Sequence, residues 1–235
     1  MNPLLIVTTS HGELGTTGDR TGLWLDEFAG VYVRFMHHGI PVVVASPLGG
    51  EIPLDPLSLK VPALSPEARA FLAQRDRVLD RTVALSQIHS NDFDAVFYPG
   101  GHGPMWDLAA NRINARLLGA FFACRKVVGA ICHGPAALLK ARHRNGESVL
   151  RNRRVTGFSD AEEARRGLHR IIPFSLEERI RAAGGVYCHR EPWMRHVVVD
   201  NHLVTGQNPQ STVGVAETML KMLIPLPPAV RERCT

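Results

Sequence analysis

The chain has 235 residues, 45% of them hydrophobic and 21% charged, with 21 glycines and 16 prolines. That composition belongs to a globular chain and excludes a disordered, collagen-like or disulfide-miniprotein class. Basic residues outnumber acidic ones by 27 to 22. They are scattered, and the densest runs, at 151–154 and 165–170, carry no interleaved aromatics, so a nucleic-acid partner is not expected.

In chain order, short apolar runs alternate with helical stretches. The runs are Leu4–Thr9, Val42–Ala45, Ala95–Tyr98, Val127–Ile131, Arg154–Gly157, Val197–Val199 and Leu203–Thr205. Continuous apolar runs are what strands read as when helices cover both faces of a sheet. Trp24–His38 repeats its apolar residues near every 3.6 positions, with Gly39 as a stop. Pro66–Asp80 follows a Ser65 cap with proline at the first helical position. Further helices are expected at Arg112–Cys124, Pro135–Ala141, Leu176–Ala183 and Thr212–Leu223. The pattern predicts one α/β domain over 1–235, an open, mostly parallel sheet with helices on both faces. Its core is expected at about 4–223, with 46–66 as an ordered excursion and 225–235 as a loose tail.

The four cysteines, at 124, 132, 188 and 234, form no CxxC pair. Free thiols fit a reducing compartment. The opening MNPLLIVTTSHG lacks a basic leader region, and no apolar stretch is long enough to span a bilayer. The expectation is a soluble, cytoplasmic protein with no membrane partner. The eleven histidines show no metal-ligand spacing, so no metal is expected. Without a Walker motif or a complete GxGxxG, neither is a nucleotide cofactor.

The chemistry concentrates where strands end. In 127–139 (VVGAICHGPAALL) an apolar strand runs into Cys132, small residues flank the turn, and a helix is expected within a few positions. That is the pattern of a nucleophile elbow. The positive end of the helix and a nearby protonated histidine would favour the thiolate. In 97–107 (FYPGGHGPMWD) a second strand ends in a glycine turn. Gly100 and Gly101 permit close backbone approach to a substrate there, with N–H turned inward, and the N–H groups of Gly101 and His133 are candidates for an oxyanion hole. His102 and Trp106 are candidates for the pocket mouth, and Asn208 reads chiefly as a turn residue.

These two motifs resemble the ThiJ/PfpI superfamily, which shares the class I glutamine-amidotransferase-like, flavodoxin-like sandwich. Residues 21–29 (TGLWLDEFA), 45–50 (ASPLGG), 155–163 (VTGFSDAEE) and 203–209 (LVTGQNP) resemble one branch, the heat-shock chaperone-like glyoxalase III proteins. The resemblance implies a buried carboxylate near the nucleophile at Glu27. It also implies an imidazole beside the thiol at His133, oriented by an acid carried onto Glu163, with Asp160 and Glu162 as rivals. The implied activity is cofactor-free conversion of methylglyoxal or a similar reactive carbonyl to a hydroxy acid, as a homodimer. Amidase-like hydrolysis and a non-catalytic holdase or redox sensor are the alternatives.

Overall fold

The computed structural model describes residues 1–60 and 64–224. The expected tail at 225–235 lies outside the described residues. In chain order the elements are β1 (Leu4–Val7), α1 (Leu25–His37), β2 (Val42–Ser46), α2 (Pro66–Leu72), α3 (Arg75–Leu79), β3 (Val83–Ala84), β4 (Ala95–Tyr98), α4 (Pro104–Asp107), α5 (Arg112–Ala123), β5 (Val127–Ile131), β6 (Arg154–Val155), α6 (Asp160–Arg166), α7 (Leu176–Ala182), β7 (Val186–Tyr187), β8 (Val197–Asp200), β9 (Leu203–Gly206) and α8 (Thr212–Leu223).

Seven strands form one sheet in the order β3-β2-β1-β4-β5-β9-β8. Every neighbouring pair is parallel except β8 with β9. The alternation of side chains across a strand builds two cores. Leu4 and Ile6 of β1, with Ala95 and Phe97 of β4, pack in one cluster with Phe28 and Phe35 of α1 and Val215 and Met219 of α8. Leu5, Val7, Val96 and Tyr98 face the other way, into a cluster with Leu118 and Phe121 of α5. Helices therefore cover both faces, as the apolar runs predict.

Local chemistry sets several boundaries. Trp24 stands at the N-cap position of α1 without a side-chain cap bond, and Gly39, at φ +71°, turns the chain out after the helix. Ser65 accepts from the Ala68 N–H with Pro66 at the first helical position. The single helix expected at 66–80 is instead two short ones, α2 and α3, joined through Ala73 and Gln74. The helix expected at 135–141 is a 3-10 turn over Gly134–Leu138. The run at 154–157 is not in the main sheet, since β6 pairs with β7 in a separate two-stranded parallel ribbon.

The central strands β1, β4 and β5 are parallel neighbours, so their carboxyl ends open onto one crevice. The strand order reverses beside β1, which is where open α/β sheets place their ligands. Residues from the segments after all three strands meet there.

Candidate active site

Cys132 occupies the turn after β5 at φ +56°, a left-handed conformation that costs a non-glycine residue roughly 1–2 kcal/mol. Surrounding bonds hold it there: its N–H donates to the Gly206 carbonyl at 3.0 Å, and its carbonyl accepts from Phe158 N–H at 2.8 Å. The sulfur is 3.4 Å from His133 Nδ1. The residue retains only 4% exposure but lines a cavity of about 440 Å³, together with Gly101, His102, His133, Phe158, Trp24 and Trp193.

Glu27 comes from the first turn of α1 and is fully buried. Its Oε2 accepts the Gly100 N–H at 2.6 Å, while Oε1 finds no hydrogen-bond partner among the described residues. Burial pushes its pKa up to about 8, against the opposing pull of the Cys132 thiol and the Gly100 N–H. Gly100 has to be glycine here. A Cβ on it would stand 2.7 Å from both Cys132 Cβ and Glu27 Oε2, and 2.9 Å from His133 N. The missing side chain lets acid and thiol meet. The expectation that Gly100 faces substrate is thereby corrected, because its N–H is spent on Glu27.

Gly101 turns at φ +86°, and its N–H supports the sulfur. Neither the Gly101 nor the His133 N–H donates to a backbone carbonyl among the described residues. The His133 N–H is uncommitted among the described residues and the Gly101 N–H is aimed at the sulfur, so both lie where an oxyanion on a Cys132 adduct would form.

On the other side, Glu163 projects from α6. That helix is started by a reciprocal capping box between Ser159 and Glu162. Glu163 Oε2 lies 2.7 Å from His133 Nε2, and Oε1 lies 2.9 Å from His102 Nε2. The two rings tilt against each other with centroids 4.1 Å apart. Burial works to raise the Glu163 pKa. His133 and His102, through charge and hydrogen bonds, overcome it and hold the carboxyl well below the usual range. An anionic carboxylate accepting from both rings assigns the Nε2–H tautomer to each. His133 Nδ1 then presents a lone pair to the thiol. Burial, with His102 beside it, lowers the His133 pKa and keeps the ring neutral and able to take a proton.

The structure thus brings Cys132, His133, Glu27 and Glu163 together as one cluster, and of the three acids it is Glu163 that meets His133. Asp160 turns away to Ser175 Oγ at 2.6 Å. Glu162 is buried but structural, and it accepts from Ser159, Gln207, Asn208 and the Trp193 N–H. That also settles Asn208, which donates to Glu162 and to the Met194 carbonyl.

Two further expectations change. Trp106 does not line the cavity: α4 carries it to the opposite core, where it stacks on His11 with centroids 5.1 Å apart. The aromatic walls are Trp24 and Trp193 instead. Trp24 lay within a recognised motif, but Trp193 sits in a loop without periodicity, and no sequence signal marks it. The thiol is also not the low-pKa group expected. Burial, and then the charge of Glu27, push it well above the ordinary value, and a single 3-10 turn offers little dipole against that.

His102, His133 and Glu163 could present three ligand atoms within 4.8 Å of one another. Those atoms already satisfy each other's hydrogen bonds, which is the arrangement of a triad with a second imidazole. No described helix is long and apolar enough to cross a membrane.

A parallel α/β sheet with a cysteine elbow, an adjacent histidine and a buried glutamate defines a class. Residues 27–222 match the DJ-1/PfpI family, and the chain belongs to it. It is 27% identical over 231 residues to Glyoxalase 3 of Candida albicans, covering 94% of this chain and 98% of that protein. The crystal structure of the Candida glyoxalase III superposes with a TM-score of 0.86 at 27% identity over 93% of this chain and 96% of that one. The Rapid Encystment Protein 24 kDa of Francisella tularensis superposes at 0.91 with 36% identity, over 95% and 100% of the two chains.

Proposed function

We propose that the protein is a cofactor-free glyoxalase that converts methylglyoxal, or a similar 2-oxoaldehyde, to the 2-hydroxy acid. One observation carries the reading: the Cys132 sulfur stands between two groups of opposite proton habit, a carboxyl that keeps its proton to about pH 8 and an imidazole nitrogen with a free lone pair. Full-length similarity to the Candida enzyme supports it.

His133 Nδ1 takes the thiol proton, and Glu163 stabilises the imidazolium. The thiolate attacks the aldehyde carbon, and the oxyanion is met by the N–H groups of Gly101 and His133. Glu27 and His133 then move the C1 proton to C2 through an enediol, leaving a thioester of the hydroxy acid on Cys132. Water releases the acid and restores the thiol. The aldehyde carbon is oxidised and the ketone carbon reduced within one molecule, so no external hydride carrier takes part.

The test is lactate formation from methylglyoxal without added thiol. Wild-type protein is expected to turn over and Cys132→Ala to show none above background. Equal rates for the two proteins would overturn the reading.

A further inference from the structure

The cavity above Cys132, at about 440 Å³, is in the range that holds drug-sized ligands and exceeds what a three-carbon oxoaldehyde fills. Its charges are unequally committed. Arg34 pairs with Glu67 at 2.9 Å and donates to the Gly30 carbonyl. Asp26 accepts both the N–H and the hydroxyl of Ser65. Arg166 is different. It lies in the last turn of α6, on the helix that carries Glu163, and lines the same cavity as Cys132. Its guanidinium is stacked over the Trp24 ring, 5.6 Å from the centroid. Among the described residues it has no carboxylate at ion-pair distance and no hydrogen-bond acceptor. A half-buried guanidinium, oriented by an aromatic face and holding its donors free beside a nucleophile, is built to receive an anion.

We propose that Arg166 binds the carboxylate of the molecule that Cys132 attacks. This rests on the glyoxalase reading for the reaction but not for the binding. The substrate class is then a 2-oxoaldehyde with a carboxylate at its far end. A carboxylate fits better than a phosphate dianion. The guanidinium fork matches two planar oxygens, whereas a dianion calls for a second cation, and Arg34 is already neutralised by Glu67. With 4,5-dioxopentanoate as probe, water adds across the same internal redox step to give 2-hydroxyglutarate: the aldehyde carbon becomes the new carboxylate and the adjacent ketone becomes the alcohol.

Two measurements on the full chain test this. The first is alkylation at the Cys132 peptide by iodoacetate and by iodoacetamide, read by mass spectrometry. Arg166→Met is expected to lower the iodoacetate-to-iodoacetamide rate ratio about tenfold or more, the effect of losing one charge-assisted hydrogen-bonded pair. Arg166→Lys is expected to retain most of the ratio, and the iodoacetamide rate should not move. An unchanged ratio in Arg166→Met overturns the proposal. The second compares 4,5-dioxopentanoate with the neutral 2-oxohexanal. Arg166→Met is expected to raise KM about tenfold for the first only. Equal effects on both aldehydes also overturn it. Turnover of neither aldehyde, with the alkylation ratio still falling, would remove the glyoxalase reading and support the carboxylate site.

Discussion

The Glu27 side and the Glu163 side of Cys132 use the same side chain for opposite ends. Glu27 is enclosed by the apolar α1 face and receives one backbone N–H, so burial prevails and the proton stays to about pH 8. Glu163 is as inaccessible, yet two imidazole N–H groups point at it and it stays anionic. The charge and the hydrogen bonds of two imidazoles, which Glu27 lacks, separate them. A thiol placed between such groups has a proton source on one flank and a proton acceptor on the other.

Removing the proton source should give the largest effect. Glu27→Gln is expected to lower turnover about 10²–10⁴-fold, the range of a general acid–base group. It should also stabilise the fold. In the unfolded chain this carboxyl ionises near 4.5, whereas in the folded protein it holds its proton to about 8. Folding therefore grows less favourable as pH rises through that window, at about 1.4 kcal/mol for each unit. Glutamine has no such dependence. Urea unfolding should show little difference from wild type at pH 4.5 and a gain of about 2–4 kcal/mol for the variant at pH 8. A variant less stable than wild type at pH 8 would break the contrast. The rate of Cys132 alkylation in wild type should keep rising beyond the range in which an ordinary thiol titrates, and a rate already at its plateau at pH 6 would contradict the raised thiol.

The Glu163 side should respond with the opposite sign. Glu163→Gln leaves one imidazole without its acceptor and releases the His133 tautomer, so turnover is expected to fall about 10²-fold. The loss in stability at pH 7 is about 1–3 kcal/mol, the cost of an unsatisfied buried group. The depressed pKa means this stabilisation is present above about 4.5 and is lost as pH falls toward the folded-state value. Wild type and variant should therefore converge in acid, where the Glu27 pair also converges, and diverge in opposite directions at neutral pH. A stability gap that stays constant down to pH 3 would refute the assignment of charge to Glu163.

Much of this contrast is legible in the sequence because it sits in contiguous motifs. Cys132 follows a buried strand and stands two residues before Gly134, so its turn is readable from the local pattern. Glu27 and Glu163 are marked only by resemblance, since neither periodicity nor charge tells a buried glutamate from a solvated one. What separates Glu163 from Asp160 is tertiary: Ser175, distant in sequence, takes Asp160 away. Trp106 is not placed by its sequence position, because proximity to the glycine turn says nothing about which side of α4 a ring leaves from, and it leaves toward His11. The short β3 and β7 strands, of two residues each, were too brief for any period to show.

The smallest expected effect lies at Trp193, where the neighbouring Glu162 makes a third use of a glutamate. Its Oε1 accepts the Trp193 N–H at 2.9 Å and holds that residue at φ +69°. The ring packs on Phe158 at 5.7 Å, and Phe158 packs on His133 at 4.6 Å. The left-handed backbone costs a side-chain-bearing residue about 1 kcal/mol. Trp193→Gly and Trp193→Ala both delete the cavity wall, but only glycine relieves the backbone. Each should raise KM a few-fold for a six-carbon 2-oxoaldehyde and leave kcat nearly unchanged, because the proton-moving groups are not touched. The alanine variant should be the less stable of the two by about 1 kcal/mol in urea. That difference isolates the strain from the lost ring, which the two variants share. If alanine proves as stable as glycine, the loop relaxes when the ring goes, and the left-handed backbone is then held by the ring's packing on Phe158 instead of by the Glu162 bond.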